Sequence, residues 1–73
     1  MVNTQYLEEL ISKSGKKKTY LADKCGCSVQ TLRRKIQNDS IFNSDQIEAL
    51  CIELNVTKLS EKERIFFTPK VDR

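Results

Sequence analysis

Arg33, Arg34 and Lys35 stand in a row, and Val29 and Gln30 precede Arg33 and Arg34 by four positions, one helical turn. A guanidinium presents a rigid fork of donors that matches a phosphate or the paired acceptors on the major-groove edge of guanine. A glutamine amide carries the donor and acceptor that pair with adenine, and a valine methyl can meet the methyl group of thymine. At about 100° per residue, Val29, Gln30, Arg33, Arg34 and Gln37 fall within one arc of roughly 140°, whereas Leu32 and Ile36 lie together outside it. One side of such a helix would face a core while the other offers forked donors and an amide. None of these pairings fixes a base sequence.

The net charge is only +3, but it is unevenly distributed. Residues 13 to 35 hold Lys13, Lys16, Lys17, Lys18, Lys24, Arg33, Arg34 and Lys35 against Asp23 alone, a local +7, while the segments on either side are each −2. Basic charge gathered in one contiguous third of a chain reads as an electrostatic footprint for phosphates, although a charge run is also how a solvated surface looks. Lys16, Lys17, Lys18 and Lys35 are the candidate phosphate contacts.

Other chemistries find little here. There is no histidine, so the commonest general base, proton shuttle and metal ligand is missing. The three cysteines, Cys25, Cys27 and Cys51, are odd in number and two are separated by one residue, which suits neither a disulfide framework nor a four-ligand zinc site. They read as small core residues in a reducing compartment. No nucleophile and base can be nominated, and no glycine-rich phosphate loop is present, so no enzyme activity, cofactor, metal or small-molecule ligand is expected. Glu8 and Glu9 stand where a secretory signal would need a basic and then apolar stretch, and no apolar run approaches the about 20 residues of a membrane span. Membrane partners are not expected, and the expected location is the cytoplasm.

With 73 residues the chain is read as one domain, residues 1–73, with a core over about 4–67 and a tail at 68–73 too short to build anything alone. A hydrophobic content of 38% separates it from disordered chains. Tyr6, Leu7, Leu10 and Ile11 line one face of a first helix behind a cap at Asn3 or Thr4, and Gly15 ends it. A second helix spans Lys18 to Cys25, and Gly26 supplies the sharpest break. Ser28 caps a third helix running to about Gln37. Asn38 to Ser44 is a polar loop with Ile41 and Phe42 as buried anchors. Asn43 and Gln46 form a capping box for a fourth helix carrying Ile47, Leu50, Cys51 and Leu54, and Asn55 stops it. Ser60 and Glu63 suggest a capping box for a last short helix, with Thr57 as an alternative cap one turn earlier. The fold class expected is all-α, with about five short helices.

Leu21, Ala22, Cys25, Gly26, Cys27 and Leu32 have the spacing of a helix-turn-helix, with small Ala22 at the crossing and Gly26 at the turn. The stretch Leu21-Ala22-Asp23-Lys24-Cys25-Gly26-Cys27-Ser28 resembles the L-A-x-K-L-G-V-S run of the Cro and repressor superfamily of phages and prophages. The resemblance extends through Phe42 to Leu54 and to Ile65-Phe66-Phe67, over roughly residues 5 to 68, and that closing pattern is similar to a subgroup of small prophage Cro-like regulators of low-GC Gram-positive bacteria. It implies a lambda-repressor-like DNA-binding domain whose third helix enters the major groove of an operator. By position it implies that Ser28, Val29, Gln30, Arg33 and Arg34 face the groove and that Lys18, opening the second helix, meets the DNA backbone. Cys25 and Cys27 stand where the family has Leu and Val or Ile. Lys35 stands where most members have an apolar residue, so the end of that helix is expected to turn onto Ile36.

The function expected is sequence-specific binding of double-stranded DNA by a repressor without a cofactor. Recognition helices in two-fold dimers sit about 34 Å apart on the duplex, so a homodimer is the expected binding form, formed in solution or only on DNA. Phe66, Phe67 and Val71 are candidates for its interface, the alternative being that they close the core of the monomer. A reading from a different class is an interaction protein, antirepressor-like or antitoxin-like, that turns the same motif toward a protein partner. The run Arg33-Arg34-Lys35 favours nucleic acid. Double-stranded DNA is favoured over RNA because no aromatic residue lies on the arc to stack an exposed base.

Overall fold

The computed structural model describes residues 1–67, so Val71 and the expected tail lie outside the described residues. The described chain is all-α: α1 (Thr4–Ser14), α2 (Lys18–Cys25), α3 (Val29–Ile36), α4 (Ser44–Glu53) and α5 (Leu59–Phe66), with no strand among these residues. Each helix contributes a short apolar stripe: Leu7 and Ile11, Leu21 and Ala22, Leu32 and Ile36, Leu50 and Cys51, Ile65 and Phe66. Val2, Phe42 and Val56 close the gaps between them from the connecting segments. Helix α2 packs against both α3 and α4, while α1 packs against α3 and α5. No described helix is long and apolar enough to cross a membrane.

Local chemistry sets the helix ends. The Asn3 side chain accepts the Tyr6 N–H at 3.1 Å and so caps α1. Asn43 and Gln46 bond reciprocally across the start of α4, at 2.8 and 3.1 Å, the expected capping box. Helix α2 ends where Gly26 takes φ +72°, and the Cys27 N–H reaches back to the Ala22 carbonyl at 3.0 Å. The chain then turns into α3, where the Ser28 hydroxyl accepts the Thr31 N–H.

Two expectations are corrected. Helix α5 opens after Lys58 with no side-chain cap, so neither Ser60 with Glu63 nor Thr57 caps it. Ser60 already lies inside the first turn, because the Lys58 carbonyl accepts the N–H groups of both Glu61 and Lys62. In the loop after α3, Phe42 is the buried anchor, stacked edge-on against Phe66 at 5.6 Å, but Ile41 points outward, 86% exposed.

The segment before α1 clamps the ends of two helices. The Val2 N–H donates to the Asn38 side-chain oxygen at 2.8 Å, and the Asn38 amide returns a bond to the Val2 carbonyl at 2.9 Å. Asn38 itself sits at φ +67°, which an asparagine tolerates better than most residues. The Thr4 hydroxyl donates to the Ile36 carbonyl at 2.5 Å, and the Asn3 N–H donates to the Ile65 carbonyl at 2.7 Å. The last turn of α3 is thereby tied to α1 and, through Asn3, to α5.

A methyl group added at Gly26 would meet nothing within 4 Å, so the cost of a side chain there is conformational and not steric. Gly26→Ala is expected to lower stability by about 1 to 2 kcal/mol in urea denaturation, and Gly26→Asn by less. A neutral Gly26→Ala would contradict a left-handed residue at the turn.

Candidate nucleic-acid interface

Helix α3 is sharply two-sided. Leu32 and Ile36 are each 0% exposed, and around the opposite side Gln30, Arg33, Arg34 and Gln37 are exposed. Arg33 and Arg34 enter no ion pair with a described residue, so both guanidinium forks face solvent. Gln37, which the helical wheel places within the same arc, was not among the residues expected to face a groove and extends that surface by one turn. Val29 is half-buried and leans on the core, so it divides between packing and surface. Ser28 is exposed, but its hydroxyl is engaged: it accepts the Thr31 N–H at 3.1 Å and donates to the Thr31 hydroxyl at 3.0 Å.

The lysines sort into three kinds. Lys17 is exposed and unpaired among the described residues, as is Lys13 at the end of α1. Lys16 and Lys18 are held by carboxylates, Lys16 by Glu53 at 2.9 Å and Lys18 by Glu8 at 2.8 Å. Lys16 also donates to the Glu53 carbonyl at 2.7 Å, and its hydrogen bond to the carboxylate is the main reason the Glu53 pKa lies below the usual range. Both pairs are partly exposed and screened by solvent, so they hold their ammoniums only weakly.

Lys35 is the third kind and a correction. It is only 9% exposed, and its ammonium donates to the Ile41 carbonyl at 2.6 Å. Its four-carbon stem lies where an apolar side chain would, and its charge is spent fixing the loop between α3 and α4. It is therefore not a phosphate contact. Ile36 is fully buried as expected, but Lys35 is buried beside it, so the end of α3 presents both positions to the core instead of turning from one onto the other.

Tyr20 and Lys24 were not among the residues expected to make contacts. Tyr20 is exposed on α2 and flanked by two ammoniums, Lys16 at 5.8 Å and Lys24 at 5.3 Å from its ring. At the start of α2, Lys17 and Lys18 place positive charge at the positive end of a helix dipole, and Lys17 provides no side-chain cap. The Glu8 carboxylate offsets this at Lys18, and the charge of Lys17 is left against the dipole. The basic residues in the last turn of α3 carry no such conflict, because there the dipole favours them.

At two of the cysteines, burial works against the reactive thiolate. Burial, reinforced by neighbouring Cys27, pushes the Cys25 thiol up to about 11, and burial also raises Cys51. No cluster of described His, Cys, Asp or Glu side chains could hold a metal ion. Of the expected interface residues, Phe66 is corrected: it is 4% exposed and closes the monomer core against Phe42. Phe67 is 58% exposed.

No family model, curated protein or solved structure matches this chain.

Removing the Lys35 ammonium while keeping its stem isolates its role. Lys35→Met is expected to cost about 1 to 3 kcal/mol of stability, whereas Lys17→Met should stay within about 0.5 kcal/mol, both read by urea denaturation. Equal, negligible effects would return Lys35 to the surface set.

Proposed function

We propose that this chain is a sequence-specific double-stranded-DNA-binding regulator, a Cro-like repressor that occupies an operator in the cytoplasm of a bacterial cell. In this reading α2, the Gly26 turn and α3 form a helix-turn-helix, with α3 in the major groove. The observation that carries it is the sidedness of α3. Fully buried Leu32 and Ile36 hold one face against the body, and Gln30, Arg33 and Arg34 stand exposed on the other.

Gln30 is the candidate adenine reader, and Arg33 and Arg34 are the candidate guanine readers. Ser28 acts chiefly as the cap that fixes where α3 begins, and Val29 is left for a thymine methyl at the edge of the contact. Lys17 is the first phosphate contact, joined by Lys18 and Lys16 once each exchanges its carboxylate for a phosphate. The acidic partners also supply an order of events, since Glu8 and Glu53 screen two ammoniums until a stronger anion arrives. Binding, not catalysis, is the whole activity, and two copies would read a two-fold symmetric site.

The test is a fluorescence-anisotropy titration with DNA from around the chain's own gene and with a scrambled duplex, at two salt concentrations. The native duplex is expected to bind more tightly, with affinity falling steeply as salt rises. Arg33→Ala should reduce the preference between duplexes by about 1 to 3 kcal/mol. Lys17→Ala should weaken both alike and lower the salt slope by about one, while Lys35→Met should leave that slope unchanged. Equal losses on both duplexes for Arg33→Ala would remove it from base reading.

A further inference from the structure

Away from the exposed side of α3, the C-terminal ends of α1 and α4 frame a second surface. An open hollow of about 270 Å³ lies between them, floored by half-buried Leu10 and Leu54 and rimmed by Lys13, Ser14, Lys16 and Glu53. One wall is fastened in place. The Ser14 hydroxyl donates to the Ile11 carbonyl at 2.6 Å and accepts the Lys16 N–H at 3.1 Å, and the Lys16 ammonium then bridges to Glu53. Tyr20 continues the surface, 43% exposed, its ring close to the ammoniums of both Lys16 and Lys24. The Lys16 hydrogen bond, and after it the Tyr20 hydroxyl and the charge of Lys24, hold the Glu53 carboxyl below its usual range, so the hollow and the Tyr20 ring belong to one connected patch.

We propose that this patch docks an acidic segment of another protein, one aliphatic side chain seated over Leu10 and Leu54 and carboxylates on Lys13 and Lys24. Charge sets the sign of the partner. Lys16 already compensates Glu53, which leaves Lys13 and Lys24 each without a carboxylate among the described residues. The floor sets its class. A phosphate backbone offers nothing apolar to Leu10, Leu54 or the Tyr20 ring, whereas a polypeptide carries apolar and acidic side chains together. Tyrosine suits such a contact because its ring supplies apolar area and its hydroxyl a polar end. A small molecule fits less well, since the open hollow would leave much of it uncovered. A second copy in a two-fold contact would bring the same lysines face to face, which disfavours self-association here.

The area sets the strength. One anchored side chain and two exposed ion pairs fall well short of the about 800 Å² per partner of a standard stable interface, so the dissociation constant expected is about 0.1 mM. The ion pairs are screened by salt while the apolar anchor is not, so the affinity falls as ionic strength rises but does not vanish. The wall fixed by Ser14 and Lys16 reduces the ordering cost of the contact.

Of the patch residues only Lys16 belongs to the phosphate set above, and the test contains no DNA, so either reading can fail without the other. The full chain is titrated into a short fluorescein-labelled peptide of glutamates around a central pair of leucines, read by anisotropy at low salt. Saturable binding of the strength above is expected. Lys13→Glu and Lys24→Glu, both at exposed positions, should each weaken it about fivefold or more. Arg33→Glu makes the same charge change on α3, outside the patch, and should weaken it by less than about twofold. Serines in place of the peptide's leucines should weaken it about tenfold. No saturable binding to the unmodified chain would overturn the proposal. Equal losses for Lys13→Glu and Arg33→Glu would show attraction to net charge alone, and a leucine-free peptide binding as tightly would leave the hollow without a role; either would overturn it. An inorganic polyphosphate that displaces the peptide and loses more affinity than the peptide does on Lys13→Glu would assign the patch to a phosphate backbone and overturn it equally.

Discussion

The rotation of α3 about its own axis is the constraint on which the rest depends. Leu32 and Ile36 have no exposed surface, so the helix cannot turn without bringing one of them into water at a cost of about 1.5 to 3 kcal/mol per side chain. Everything around α3 reinforces that angle. Gly26 and Ser28 determine where the helix begins, and the Thr4 hydroxyl and the Asn38 clamp hold its last turn to the chain's first residues. With the buried side fixed, the exposed side is fixed as well, and it carries Gln30, Arg33, Arg34 and Gln37. In a chain of 73 residues, where burial is limited, one helix serves as both core and presentation surface.

The positive charge divides by environment more than by position in sequence. Arg33, Arg34 and Lys17 are exposed and open to an outside anion, Lys16 and Lys18 are shared with Glu53 and Glu8, and Lys35 is consumed internally. The same buried lysine that leaves the phosphate set fixes the backbone at Ile41, so one substitution in the core stripe affects both the α3 end and the loop that follows it. At the uncapped start of α2, Lys17 stands against the helix dipole, while the Glu8 carboxylate offsets the charge of Lys18 beside it.

Much of the helical layout was legible because its signals are local. Lys18 to Cys25, the Gly26 break, the Ser28 cap and the Asn43–Gln46 box each depend on residues within four positions of one another. The two faces of α3 followed from the helical period alone. What sequence could not give arises from residues far apart in the chain. Lys16 meets Glu53 across 37 positions, and Val2 meets Asn38 across 36. Lys35 carries a charge, so pattern reading put it in water, although its stem fills an apolar place and its ammonium reaches a carbonyl six residues on. Phe66 and Phe67 are adjacent at one helix end, and which of them is buried is decided by a distant partner: Phe66 meets Phe42 from the loop after α3, and Phe67 is left exposed.

The proposed DNA-binding role requires the exposed side of α3 to discriminate between base sequences. Selection of bound duplexes from a fully randomised DNA pool, followed by sequencing, tests it without assuming any operator. A short motif is expected to emerge with the unmodified chain and to lose definition at particular base pairs with Arg33→Ala. A folded, helical chain that enriches no sequence above the starting pool would contradict it.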